Sequence, residues 1–130
     1  MPQQYYKSTG RGYPDIGALA HNFLTVIGGQ IDPVDGTSAA APTAAAIVTL
    51  LADLNMNLEN PPLGFLNPWL YGVATTNSTA FRDIVMGDNS CSELAWICCP
   101  YGLPAAVGWD AVTGLGSLNY GVLANILRGF

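Results

Sequence analysis

Charge is what this chain has least of. Of its 130 residues only 10% are charged, with four Lys plus Arg against nine Asp plus Glu and a formal net charge of -5. Nucleic acids and anionic membranes are held by clustered basic residues, so neither is expected as a partner. A surface of this balance suits acidic conditions or cation binding. Glutamate occurs at Glu59 and Glu93, and histidine once, at His21. A run of about 18 apolar residues free of polar ones is missing, so no membrane-spanning helix is expected. Residues 1–13 are polar and aromatic without an apolar centre, so no signal peptide is expected within the chain.

What is present is apolar. Half the residues are hydrophobic, a large share for a free-standing domain of this size, which has much surface to cover. The length suits one domain or part of a larger one, and the low charge implies faces that lie against protein outside the chain. Cys91, Cys98 and Cys99 form a C-x6-C-C pattern with no histidine nearby, a poor zinc site. One disulfide from Cys91 to either Cys98 or Cys99 fits an oxidising compartment; three free thiols are the alternative.

Residues 1–14 read as loop, punctuated by Gly10, Gly12 and Pro14. Phe23 to Ile27 is β-branched and aromatic and predicts a strand, with Gly28-Gly29 turning into a short returning strand that Pro33 ends. From Thr37 or Ser38 to about Asn55 the pattern is helical. Ile47, Leu50, Leu51 and Leu54 form one stripe, and the face of Ala44, Ala45 and Val48 is apolar too, which predicts a helix buried nearly all round. Pro42 is read as lying where the helix's N–H groups lack partners anyway. Phe65 to Tyr71 predicts a short helix with Pro68 in its first turn. Phe81 to Val85 reads as a brief strand, Met86 to Val107 as a long irregular stretch, and Leu118 to Leu127 as a closing amphipathic helix. Asn77-Ser78-Thr79 is a glycosylation acceptor pattern, meaningful in a secreted chain.

The chemistry-bearing stretch is Asp35-Gly36-Thr37-Ser38-Ala39-Ala40-Ala41-Pro42. It places a hydroxyl at a helix mouth, where N–H groups and the helix field favour negative charge, among residues too small to crowd a substrate carbonyl. A serine needs a base to become a nucleophile. The other reading of these residues is that Ser38 or Thr37 only caps the helix. His21 as base lacks a third orienting group and reads as a surface or strand-edge histidine.

Further blocks accompany the serine. Gly10-Arg11-Gly12-Tyr13-Pro14-Asp15-Ile16, Pro61-Pro62-Leu63-Gly64-Phe65-Leu66-Asn67-Pro68-Trp69-Leu70-Tyr71, Phe81-Arg82-Asp83-Ile84 and Gly108-Trp109-Asp110-Ala111-Val112-Thr113-Gly114-Leu115-Gly116 follow in order. Together with Gly36-Thr37-Ser38 they resemble the sedolisin, or serine-carboxyl peptidase, family of the tripeptidyl-peptidase and kumamolisin type. Asp35 stands where that family more often has Ser. The resemblance implies that residues 1–130 are the C-terminal portion of a catalytic domain, α/β in class: part of a subtilisin-like doubly wound domain with a mostly parallel sheet. It implies a serine-type peptidase, endopeptidase or tripeptidyl-peptidase, acting on peptides or proteins at acidic pH with Ser38 as nucleophile. It implies one structural Ca2+, held by the carboxylates of Asp83 and Asp110 and the carbonyls of Ile84, Ala106 and Gly108, with glycine the family's usual residue where Ala106 stands. Asp88 reads as a surface carboxylate or a substitute ligand. The family's catalytic Glu and Asp residues precede the matched region, so the partner expected is the N-terminal part of the domain, in a secreted or lysosomal/vacuolar parent. The alternative is a catalytically inactive remnant or binding module on the same scaffold.

Overall fold

Gly28 and Gly29 both adopt positive φ, 59° and 83°, the pair of left-handed residues that a two-residue hairpin turn requires. They join β1, Phe23–Ile27, to β2, Gln30–Val34, in antiparallel register with Ile27 opposite Gln30 and Phe23 opposite Val34. Pro33 does not end β2 but sits within it opposite Leu24; a two-stranded sheet has open edges, where a missing N–H costs no ladder bond. The computed structural model describes residues 4, 6–92 and 97–129; Glu93 lies outside them.

Among the described residues three α-helices follow the hairpin: α1, Thr37–Asn57; α2, Leu66–Thr76; and α3, Tyr120–Leu127. A 3-10 turn, Ser78–Ala80, leads from α2 into β3, Phe81–Arg82, which pairs antiparallel with β4, Ser117–Leu118. The strand expected over Phe81 to Val85 is therefore two residues long. Leu51 of α1, Leu70 and Val73 of α2, Phe81, Leu118, and Leu123 and Ala124 of α3 make the core. Fully burying a leucine is worth about 1.5–3 kcal/mol, and Leu51 and Leu123 are the largest fully buried side chains among the described residues.

Two expectations about α1 change. By length and composition it is apolar enough to cross a membrane, although Asp53 and Asn55 interrupt it. It is also not buried nearly all round: Leu51 and Asn55 are its buried residues, while Leu50 and Met56 are 54% and 64% exposed. The core meets one stripe only, through Ile47, Val48, Leu51 and Leu54. Asn55 is satisfied by donating to the Pro61 carbonyl at 2.6 Å and accepting from Asn60, which fastens the end of α1 to its connector.

Both two-stranded sheets are antiparallel. The parallel contact among the described residues is one bridge, between Gly17 and Ser117. The mostly parallel sheet expected from the sequence is not found among these residues, because the strands before and after α1 and α2 belong to different sheets. Cys91 pairs with Cys98, and Cys99 is an exposed free thiol.

Candidate functional site

Two places carry chemistry. The first is the mouth of α1. Gly36 is its N-cap residue, with φ 149°, and no side chain supplies a cap hydrogen bond. Ser38 is the second helical residue, exposed, with a hydroxyl that has no hydrogen-bond partner among the described residues. The capping role that competes with nucleophilicity is therefore not the one Ser38 performs. Pro42 lies beyond the first turn and inside the helix. It has no N–H to offer the carbonyl four residues earlier, that of Ser38, so this one backbone bond of the helix is missing.

Ser38 lines a hollow of about 520 Å³ with Phe23, Thr25 and Val34 of the hairpin and Ala39, Pro42 and Ala46 of α1. The walls are apolar and small, apart from Asp35 and the threonines. Asp35 accepts a hydrogen bond from the Asn22 N–H at 2.6 Å and pairs with His21 Nδ1 at 3.0 Å. The Asn22 N–H, and then His21, hold its carboxyl below the usual carboxylate range. Its charge is thus engaged at the base of β1, and it gives His21 the carboxylate partner that the sequence did not lead one to expect. The other ring nitrogen, Nε2, meets Asn22 Nδ2 at 2.9 Å rather than Ser38.

The second place is a cradle at the end of β3. Asp83 follows the strand directly, and its Oδ2 accepts from the Gly108 N–H at 2.7 Å. Asp110 is buried; its Oδ2 accepts from the Ala106 N–H at 3.0 Å, and its Oδ1 accepts from the N–H groups of Val112 and Thr113 at 2.8 Å each. Burial pushes this carboxyl up, but the donors from Ala106, Thr113 and Val112 outweigh it and hold the pKa below the usual range. Both aspartates grip the same short stretch, residues 106–108. Gly108 takes φ 83°, a left-handed conformation, whereas Ala106 is not among the positive-φ residues, so alanine fits there without strain.

The donor set fits a cation. Asp83 Oδ1 is a buried oxygen with no hydrogen-bond partner, and neither Asp83 nor Asp110 has an ion-pair partner among the described residues. A hard cation such as Ca2+ takes carboxylate and carbonyl oxygens, which is the chemistry offered here. No group of three or more His, Cys, Asp and Glu assembles among the described residues. Asp88 is not brought into the cradle: its Oδ1 accepts from the Ser90 N–H at 2.8 Å, closing a local turn.

The motifs gave no sign of the clamp behind the cradle. Asp15 forms an ion pair with Arg11 and accepts from the Tyr71 hydroxyl at 2.9 Å, while its carbonyl accepts from the Leu115 N–H. Trp109 Nε1 donates to the Pro14 carbonyl at 3.0 Å and its ring covers Gly12, where a Cβ would sit 2.5 Å from the ring. The blocks around residues 12, 71 and 109 are thereby locked into one unit. Tyr71 lies 56 residues from Asp15, and nothing local in the sequence announces that pairing.

No family model matches the chain. Physarolisin of Physarum polycephalum is 42% identical over 116 residues, covering 89% of this chain and 20% of the relative. Tripeptidyl-peptidase 1 of Dictyostelium discoideum is 36% identical over 116 residues, 89% of this chain and 18% of the relative. Among solved structures, Pseudomonas sedolisin (serine-carboxyl proteinase), complexed with two molecules of pseudo-iodotyrostatin, matches with a TM-score of 0.64 and 30% identity over 78% of this chain and 24% of that one. The chain thus spans about a fifth of the length of the curated relatives it matches. The structural likeness supports the subtilisin-like fold family expected from the sequence.

Proposed function

We propose, for a chain that is a sedolisin-family, tripeptidyl-peptidase-like region, that Ser38 is the nucleophile of a serine-type peptidase acting on peptides or proteins at acidic pH. The observation that carries this reading is the uncommitted hydroxyl of Ser38 at the mouth of α1, facing a hollow walled by small and apolar residues. Ser38 Oγ gives its proton to the base and attacks the scissile carbonyl; the C–N bond breaks, the amine leaves carrying that proton, and water hydrolyses the resulting acyl-enzyme to release the acid and restore the Ser38 hydroxyl. The positive end of α1 favours the negative charge that develops on the carbonyl oxygen.

The base comes from outside this chain. Glu59 follows the far end of α1, which at about 1.5 Å per residue lies roughly 30 Å from Ser38. A carboxylate base suits acidic operation, because it stays ionised where histidine is protonated. In this reading residues 1–130 are the C-terminal portion of a catalytic domain. Their partner is its N-terminal portion, which contributes the strands of a mostly parallel sheet and the catalytic acids. The parent is secreted or lysosomal/vacuolar, and residues 1–130 offer no basic surface for nucleic acid or an anionic membrane.

One Ca2+ is bound by the carboxylates of Asp83 and Asp110 and the carbonyls of Ile84, Ala106 and Gly108. Bound there, it neutralises two carboxylates and pins the loop against β3. The orphaned Asp83 Oδ1 is the support for this site.

The test is peptide hydrolysis at acidic pH by the full-length protein. Ser38→Ala lowers kcat by roughly 10^4-fold or more, the scale on which loss of a nucleophile acts. Retention of most of the turnover by Ser38→Ala would assign the chemistry elsewhere and favour a binding module on this scaffold.

A further inference from the structure

We propose that Asn77 is an N-glycosylation site, its side-chain amide taking an oligosaccharide from a lipid-linked oligosaccharyl diphosphate. The inference rests on the secretory parent of the proposed function. It is carried by three observations: an Asn-Ser-Thr acceptor sequence, the surroundings of Asn77 in the fold, and a disulfide in the same chain.

Asn77 closes α2 and opens the 3-10 turn. Its Oδ1 accepts from the Thr79 N–H at 3.1 Å and from the Thr79 hydroxyl at 2.6 Å, which fixes the amide through the residue the acceptor sequence requires. Nδ2, the atom that reacts, has no hydrogen-bond partner among the described residues. Ser78 and Thr79 are exposed, as are Thr75 and Thr76 just before. This surface is polar, unlike the apolar residues left open on the hairpin and α1, such as Val26 at 72% and Ile31 at 70%. A bulky hydrophilic glycan is accommodated on the first kind of surface and would obstruct association through the second. The Cys91–Cys98 disulfide belongs to the oxidising compartment in which such transfer occurs.

In the transfer, Nδ2 forms a bond to the anomeric carbon of the first sugar. The bond from that carbon to the diphosphate oxygen breaks, the lipid diphosphate leaves with the electron pair, and Nδ2 loses one proton. No oxidant or reductant takes part.

The experiment takes the full-length protein from a eukaryotic secretory host. Peptide-N-glycosidase in 18O-water converts a glycosylated Asn77 to 18O-labelled Asp, read by mass spectrometry alongside the thiol state of Cys91 and Cys98. The expected result is an 18O-labelled residue 77 with the two cysteines oxidised, the label persisting in Thr79→Ser and vanishing in Thr79→Ala. Oxidised cysteines with an unmodified Asn77 overturn the glycosylation proposal and leave the peptidase reading standing. Reduced cysteines with an unmodified Asn77 overturn both this proposal and the secretory parent.

Discussion

A buried carboxylate remains ionised only where donors replace the water it has lost, and Asp110 has them in the N–H groups of Ala106, Val112 and Thr113. Its pKa is lowered by folding, so its stabilisation is complete above the unfolded value of about 3.9 and is lost as pH falls through the lower folded value. Asp110→Asn keeps the oxygen that accepts from Val112 and Thr113 but sets an NH2 against the Ala106 N–H, which loses its acceptor at a cost of about 1–3 kcal/mol. The variant is expected to be roughly 1–3 kcal/mol less stable than wild type near neutral pH, with the gap narrowing below about pH 4. Urea denaturation across that range checks both parts. At this scale the sequence draws attention to residues that a motif surrounds, as for Ser38, Asp83 and Asp110, whose catalytic and metal roles we propose. It is silent where distant segments meet, as for Asp15 with Tyr71, because sequence periodicity carries no information on a contact 56 residues apart.

Among the elements, two glycines of opposite character separate turn chemistry from helix chemistry. Gly116 has φ 86°, and a Cβ there would lie 2.1 Å from the Arg82 carbonyl oxygen, where the loop meets β3. Gly72 lies inside α2, and a Cβ added there would meet nothing within 4 Å. Gly116→Ala is expected to destabilise by about 2 kcal/mol or more through strain and overpacking. Gly72→Ala is expected to stabilise by about 0.5–1 kcal/mol by removing unfolded-state freedom. Opposite shifts of the urea midpoint are the check. The hairpin and α1 were readable because β-branched runs, a Gly-Gly turn and an alanine-rich stretch declare themselves locally. The two-residue length of β3 was not, since Asp83 leaves the strand to reach Gly108 across 25 residues. The burial of α1 was overestimated for a related reason: an apolar face shows what a helix is suited to cover, not what lies beside it.

For the whole molecule, the proposed function ties the uncovered apolar surface to the catalytic acids it places outside this chain. Leu24, Val26, Ile27 and Ile31 on the hairpin and Leu50 and Met56 on α1 are each more than half exposed, on the elements that frame Ser38. On the proposed function, the remainder of a catalytic domain would cover them and bring the acids. Residues 1–130 alone are accordingly expected to show no peptidase activity at any pH. In the full-length protein, chelation by EGTA is expected to lower the Tm, since an ion bound only by the folded state stabilises it by mass action. Asp83→Asn should remove that sensitivity; an unchanged Tm with EGTA in wild type would dismiss the ion. The most direct measurement on Ser38 itself is covalent labelling of the full-length protein by a fluorophosphonate at acidic pH, with the adduct located by mass spectrometry. The expected adduct is on Ser38 Oγ and absent from Ser38→Ala; an adduct on another residue, with Ser38 unlabelled in a protein that hydrolyses peptides, would contradict the account.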